Sequence, residues 1–516
     1  MVQLRRRRGD PPPPQRGGRP AVLNPVTEPG PDEWSGGAGA PRDALCARRG
    51  ELIRIHVTAG CRKISRELGF PKRYAYVYGV AMSSTKKRAF ALIVAAAVGA
   101  LALAGCGAGS RTGNANATEV TCDYTAPDSA TTVNVLAYNS SAIDPFTDTM
   151  VSSCSKDDVT VKHDPIDFGG QVTKTTATLA GDTGTYDIIE TYGFVIPGLA
   201  TDEKLVPLND LYDKYAADYG LDKISESMRT GMSFDGELYA LPMQAQMFVM
   251  AYRTDIFEEL GIEVPTTFDE MIAAAEKIKA AGKMDYPIAL PWLATSDVST
   301  SFQAAMNSLG ADFVNDAGDV TLDTPEAQQA LEGMLALKPY MDPQVTTFDQ
   351  PKVQQQMYNG TAAMSIMFSG RMSDLTLDTN SNLADSFAFA GPPKLTSSAE
   401  YAYNRLSIDG WSIPFNTELD HDMLFVMMAS AVSEEASTAS VPAAYPAREG
   451  MVTAENSPYG EAANESIAAA MPPVVSPVLA DLTNEIRPIL VQILAGNVSV
   501  DEGMAQMQAA GEAFVG

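Results

Sequence analysis

Seven short apolar runs bounded by turn residues, with amphipathic stretches between them, restrict this chain more than any other feature. They are "TVNVLAY" (132–138), "VTVKHD" (159–164), "YDIIET" (186–191), "YPIALPW" (286–292), "AAMSIMF" (362–368), "FAFAGPP" (387–393) and "DGWSIPF" (409–415). Runs of this length read as buried strands, and their alternation with helices predicts an α/β class with largely parallel sheets. So many strands over about 400 residues suit two sheets better than one. Two helices have legible starts. Thr267 precedes Phe268, Met271, Ile272, Ala275 and Ile278 on one helical face, with Glu270 placed to complete a capping box. Thr324 precedes Pro325 at the first helical position, with Leu331, Met334 and Leu335 behind it. The Ala- and Met-rich tail, 462–516, reads as helices packed by those residues.

Charge divides the chain. Residues 1–105 hold 18 Lys and Arg against 7 Asp and Glu, while Cys106 onward holds 19 against 57 and stands near −38. A body this acidic repels nucleic acid and anionic lipid. The basic portion contains "MSSTKKRAFALIVAAAVGALALAGC", starting at Met82, with Lys86, Lys87 and Arg88 ahead of an apolar run Ala89–Ala104. That is the anatomy of a secretory signal. Sixteen residues make a helix of roughly 24 Å against about 30 Å of hydrocarbon, and no stop-transfer cluster follows. Leu103-Ala104-Gly105-Cys106 resembles the lipobox of bacterial lipoproteins, which implies acylation at Cys106, palmitate included, and a mature chain starting there. Residues 106–121 then read as a flexible tether. Residues 1–81, rich in Pro, Gly and Arg, are expected to be either a stretch upstream of the true start at Met82 or a real basic extension. Cys122 and Cys154 remain in an exported chain, either as two free thiols or as one disulfide closing about a 30-residue loop.

The sequence has no P-loop, no His-Glu-x-x-His, no Gly-x-Ser-x-Gly and no paired Cys-x-x-Cys, and only His163 and His421 follow Cys106. We expect no enzyme, no metal and no cofactor.

The segment "FDGELYALPMQAQMFVMAYRTDIFEELGIEVPTTFDEMIAAAEKI" (234–278) resembles the central segment of the extracellular solute-binding proteins of ATP-binding cassette sugar importers. The matching positions are Asp235, Gly236, Leu238 to Pro242, Tyr252, Arg253, Asp255, Phe257, Gly261 and Pro265. Further echoes are "YDIIET" with "LVPLNDL" (186–211), "LGADFVNDAGDVTLDTPEAQQAL" (309–331), "GWSIPF" (410–415) and "YPAREG" (445–450). The resemblance implies a two-lobed periplasmic-binding-protein-like clamshell, each lobe a mainly parallel sheet flanked by helices. Lobe one is expected over 122–240 and 395–435, and lobe two over 249–387 and 445–516. Crossings fall near 240–248, 388–394 and 435–447. The implied function is a monomeric, lipid-anchored receptor on the outer face of the cell membrane. It would deliver a sugar or polyol to membrane permease subunits and their ATPase. The alternatives are a surface sensor or adhesin with the same clamshell, and an importer receptor for a non-sugar solute.

A sugar offers apolar C–H faces and a rim of hydroxyls, so its site needs flat aromatics and hydrogen-bonding groups at strand ends. The candidates are Asn139, Ser140, Tyr192, Phe194, Gln244, Gln246, Trp292, Arg371 and Trp411. For the aromatics the alternative is core packing, for the glutamines backbone or interlobe hydrogen bonds, and for Arg371 a surface pair with Asp374. Many relatives carry a sugar-stacking Trp where this chain has Met372, which points to a smaller sugar, a polyol or a charged derivative.

Overall fold

A computed structural model describes residues 117–315 and 317–515. The segments expected to be an extension (1–81), a signal (82–105), the acylated Cys106 and a tether as far as residue 116 lie outside the described residues. The strands are β1 (Thr131–Leu136), β2 (Val159–His163), β3 (Ile188–Tyr192), β4 (Ser233–Phe234), β5 (Glu237–Leu238), β6 (Leu241–Gln246), β7 (Phe248–Arg253), β8 (Ile288–Ala289), β9 (Met364–Phe368), β10 (Phe387–Ala390), β11 (Ser407–Ser412) and β12 (Tyr445–Pro446). They form a six-stranded sheet ordered β12-β6-β11-β3-β1-β2 and a four-stranded sheet ordered β10-β7-β9-β8, with β4 and β5 as a separate hairpin. Asp235 and Gly236, at φ 50° and 86°, make the hairpin's two-residue turn, a conformation that Asp-Gly supplies at low cost.

Both sheets are mixed rather than mainly parallel. β1 pairs parallel with β2 and β3, and β8 with β9, while β6, β7, β10, β11 and β12 make antiparallel pairs. The reason is connectivity. The parallel strands of lobe one are joined by helices within the lobe. The antiparallel ones belong to segments that pass between lobes and need no helical crossover over their own sheet.

β6 and β7 are one extended segment broken only at Met247, with β6 in the six-stranded sheet and β7 in the four-stranded one. The second crossing comes later than expected. Leu395 and Tyr403 pack in the second lobe's core, and Asn404 Nδ2 donates to Ser466 while its Oδ1 accepts from Phe248 N, so 395–404 belongs to lobe two. The third is also displaced. β12 pairs with β6, and the Arg448 guanidinium donates to the carbonyls of Val432, Gly220 and Tyr219, so lobe one continues through residue 448. The crossing segments are as apolar as the lobes they join, and the boundary leaves no break in composition.

Each lobe has its own core, and a third cluster gathers around the crossing, including Ala245, Met247, Val249, Met367, Met372 and Tyr459. The helix Phe268–Ala280 starts at Thr267, whose hydroxyl accepts from Glu270 N, and Glu270 returns to Thr266 N at 2.7 Å. The helix Pro325–Leu337 is capped by Thr324 through Ala327 N. Residues 118–122 do not hang free as the end of a tether. Thr118 N and Val120 N donate to Thr149 Oγ1 and Ser153 Oγ on the helix Asp144–Cys154, and Cys122 is disulfide-bonded to Cys154 at its end. Extended backbone must place its N–H groups somewhere, and hydroxyls four residues apart on one helix face provide the acceptors.

Candidate functional site

Three adjacent strands of the six-stranded sheet carry polar side chains on one face. Asp409 stands opposite Tyr192 on β3 and opposite Gln244 on β6, and Ser407 stands opposite Gln246. Paired residues project to the same side and the side-chain period is two, so Glu190, Tyr192, Gln244, Gln246, Ser407 and Asp409 share that face. Asp409 organises it. Its Oδ2 accepts from Gln244 Nε2 at 3.0 Å and Gln246 Nε2 at 3.3 Å, and its Oδ1 from Ser407 Oγ at 3.4 Å. Glu190 Oε2 accepts from Tyr138 N at 2.9 Å. Gln171, on the helix Phe168–Ala180, donates to Glu190 O and accepts from the Tyr192 hydroxyl.

The loop after β1 adds a second acid. Asp144, first residue of its helix, accepts from Asn139 Nδ2 at 2.7 and 2.8 Å and from Ser140 N at 3.1 Å. Beside this lies an aromatic wall. Tyr192 stacks on Phe194 with centroids 5.7 Å apart, and Phe168 bridges Tyr192 and Tyr138. Phe168 and Phe194 are 40 % and 38 % exposed, so each has a free face.

Lobe two covers the cluster with the turn after β9, and the two lobes are closed on each other here. Gly370 N donates to Gln246 Oε1 at 3.1 Å, and Ser141 Oγ donates to Asp374 Oδ2 at 3.0 Å. A β-carbon at Gly370 would stand 2.9 Å from Ala142 Cβ and 3.1 Å from Gln246 Oε1. Glycine is therefore what lets the two backbones approach.

Burial decides the electrostatics. It pushes Asp409 up to about 7 against the hydrogen bonds from Gln244, Gln246 and Ser407. Asp144 is pushed up to about 7 for the same reason, opposed by Asn139 and by the nearby charge of Arg371. Glu190 is raised well above the ordinary range by burial and then by the charge of Asp409. Five buried atoms on this face and its flanking loop have no hydrogen-bond partner: Asn139 Oδ1, Ser140 Oγ, Glu190 Oε1, Gln244 Oε1 and Nε1 of Trp411, the residue opposite Glu190. Such atoms are costly unless something supplies the missing partner. Among the described residues no group of three His, Cys, Asp or Glu is arranged to hold a metal ion.

The structure thus brings together Asn139, Ser140, Tyr192, Gln244, Gln246 and the turn bearing Arg371, with Phe194 at the margin. Arg371 makes no ion pair with Asp374, which is held by Ser141, and its charge instead acts on Asp144 and Tyr138. Trp292 and Trp411 are corrections. Both are fully buried in the lobe-two and lobe-one cores, although Trp411 stands opposite Glu190 on β11 and the indole Nε1 of each has no hydrogen-bond partner. Met372 is likewise buried in the third cluster, so its position offers no platform to a ring. Sequence reasoning missed Asp144, Gln171, Phe168, Glu190 and Asp409. The signal for the last two was a single acid inside an otherwise buried strand, in "IIETY" and "SIDGWS".

A family model described as bacterial extracellular solute-binding protein matches residues 114–418. A binding protein of Brucella abortus is 32% identical over 162 residues, 30% of this chain and 38% of its own length. The mannitol-binding protein of Pseudomonas aeruginosa is 27% identical over 182 residues, 34% of this chain and 42% of its own. The chain thus spans less than half the length of these curated relatives. Among solved structures, an ABC transporter solute-binding protein from Agrobacterium vitis with bound D-mannitol superposes with a TM-score of 0.65 at 21% identity, covering 74% of this chain and 98% of that one. The polar, closed cleft between two α/β lobes agrees with these likenesses: the chain belongs to the bacterial extracellular solute-binding protein family.

Proposed function

We propose that the protein is the receptor of an ATP-binding cassette importer for a sugar or polyol, held at the extracytoplasmic face by a lipid on Cys106. The observation that supports the solute class is the pairing, in one closed cleft, of oriented amides and carboxylates with the partly exposed rings of Phe168 and Phe194. The polar groups suit a rim of hydroxyls and the rings suit C–H faces. The D-mannitol in the Agrobacterium vitis structure and the name of the Pseudomonas aeruginosa relative favour the same class. Arg371 and the Gly370 turn meet the solute from lobe two, so its binding holds the lobes together, and the importer's membrane subunits read that closure.

A thermal-shift screen of the purified protein against monosaccharides, oligosaccharides and polyols tests the solute class. A ligand at a hundred times its Kd stabilises by about 2.7 kcal/mol. With amino acids and short peptides added to the same panel, a hit among the carbohydrates supports the reading, and a hit confined to the amino acids or peptides removes it. The anchor is tested separately by the intact mass of protein extracted from membranes, which must begin at an acylated Cys106.

A further inference from the structure

The loop after β1 does two things at once. Its first residues, Asn139 and Ser140, are tied back to Asp144, whereas the next two reach the other lobe. Ser141 Oγ donates to Asp374 Oδ2 at 3.0 Å and stands 3.5 Å from Gly370 O, and Ala142 packs against Gly370. Arg371, in the same turn of lobe two, acts on Asp144 with the opposite charge. All of these contacts are between protein groups. The hydroxyl-to-carboxylate bond among them is charge-assisted, which is the stronger kind.

Not every bond between the lobes depends on closure. The one from Gly370 N to Gln246 Oε1 continues the ladder of β7 and β9, in which Phe248 stands opposite Phe368 and Ser369 N donates to Met247 O. It therefore lies at the crossing itself and is little affected by a change of hinge angle. Ser141 is farther out. In the order β6-β11-β3-β1 its strand stands three places from the crossing strand, about 14 Å at sheet spacing. An opening of about 10° about the crossing carries it about 2.5 Å, well beyond hydrogen-bond range of Asp374. The Ser141–Asp374 bond thus belongs to the closed form alone, and its free energy bears on closure rather than on folding.

We infer that Ser141 and Asp374 form a clasp that closes the receptor in the absence of solute, and that this clasp sets the affinity for every solute without touching one. Both are positioning residues, because closing loop 139–144 onto lobe two fixes Asn139 and Ser140 in place. Apparent affinity is the intrinsic affinity of the closed form multiplied by the fraction closed, so the clasp scales every Kd by one common factor. Specificity stays with the groups that meet the solute. The inference is independent of the solute's class.

Small-angle scattering of solute-free protein at pH 7.5 tests it, with Ser141→Ala, Asp374→Ala and Asp374→Asn beside the parent. Losing the bond lowers the ratio of closed to open receptor about tenfold. Both alanine variants then have a larger radius of gyration than the parent, while Asp374→Asn, which keeps an acceptor oxygen, stays nearer to it. Their solute-free melting temperatures hold within about two degrees of the parent's. The alanine variants remove one bond from opposite sides, so if either fails to fold the other decides. Titration calorimetry with mannitol, sorbitol and maltose gives the second readout: those that bind the parent all weaken by one factor, about threefold to tenfold. Equal radii for the parent and the alanine variants overturn the inference, as does a loss for one solute more than threefold greater than for another. A larger radius in the variants of a protein that binds no carbohydrate upholds the clasp and counts against the carbohydrate reading.

Discussion

Gly370→Ala isolates closure from folding. The position has no positive φ, so alanine is conformationally acceptable there and the effect comes from contact alone. The new methyl would stand 2.9 Å from Ala142 Cβ, against about 3.5–4.0 Å for carbon atoms in comfortable contact. Ala142 has no rotamer with which to retreat, so the Gly370 turn and the loop after β1 must separate by the better part of an ångström. Overpacking of this kind costs about 1–3 kcal/mol. The same displacement stretches the 3.1 Å bond from Gly370 N to Gln246 Oε1, worth about 1 kcal/mol. Together, about 2–4 kcal/mol is lost from the closed form, a weakening of roughly thirtyfold to nearly a thousandfold in Kd for whichever solute binds tightest. An open form has no such contact, so the ligand-free melting temperature stays within about a degree. Calorimetric titration and scanning read the two quantities independently. Adding Ala142→Gly removes the obstructing carbon and restores most of the affinity in a double-mutant cycle. Binding within threefold of the parent, or a ligand-free melting temperature that falls in step with affinity without rescue by Ala142→Gly, refutes the argument.

Protons are linked to closure by the buried acids. Burial holds Asp144 and Asp409 at about 7 in the closed form, and the part of that burial contributed by lobe two is lost on opening, so closing takes up protons, and the unliganded closed form is favoured at acid pH and weakens as pH rises through 7. Small-angle scattering of ligand-free protein gives a smaller radius of gyration at pH 5 than at pH 8.5, and equal radii, or a larger one at pH 5, contradict this. Met372→Trp does not build a stacking surface, because the position is fully buried. It destabilises by about 1–3 kcal/mol in denaturant titration with no gain in affinity for maltotriose over maltose. Replacing both Cys122 and Cys154 by Ser opens a link across 32 residues and costs about 3.7 kcal/mol by loop-closure entropy, read as a lower denaturation midpoint.

What could be read beforehand was local. The seven runs became strands because short apolar stretches between turn residues need no distant information, and Thr267 and Thr324 announced their helices because a cap is set within four residues. Sheet direction was not local, since β11 and β12 reach lobe one only after the chain has visited lobe two. The aromatic candidates split because a ring wanted by a sugar and a ring wanted by a core look alike in sequence. Tyr192 ends β3, Phe194 follows it, and both meet the cleft, while Trp292 and Trp411 are enclosed by packing that no short window contains. Asp409 matters because it stands opposite Gln244 and Tyr192, a register that exists only once β6, β11 and β3 are side by side. Among 57 acids that pairing could not be singled out.

The short strap of residues 118–122 has a mechanical consequence. It is fastened along the helix Asp144–Cys154 by three hydrogen bonds between its backbone and the hydroxyls of Thr149 and Ser153, and covalently at Cys154, all within lobe one. Any load arriving along the chain from residue 117 therefore enters the first lobe, and the disulfide carries it past the hydrogen bonds into the body of the sheet. Lobe two, connected through the three crossings, is the arm left free to swing about that mount.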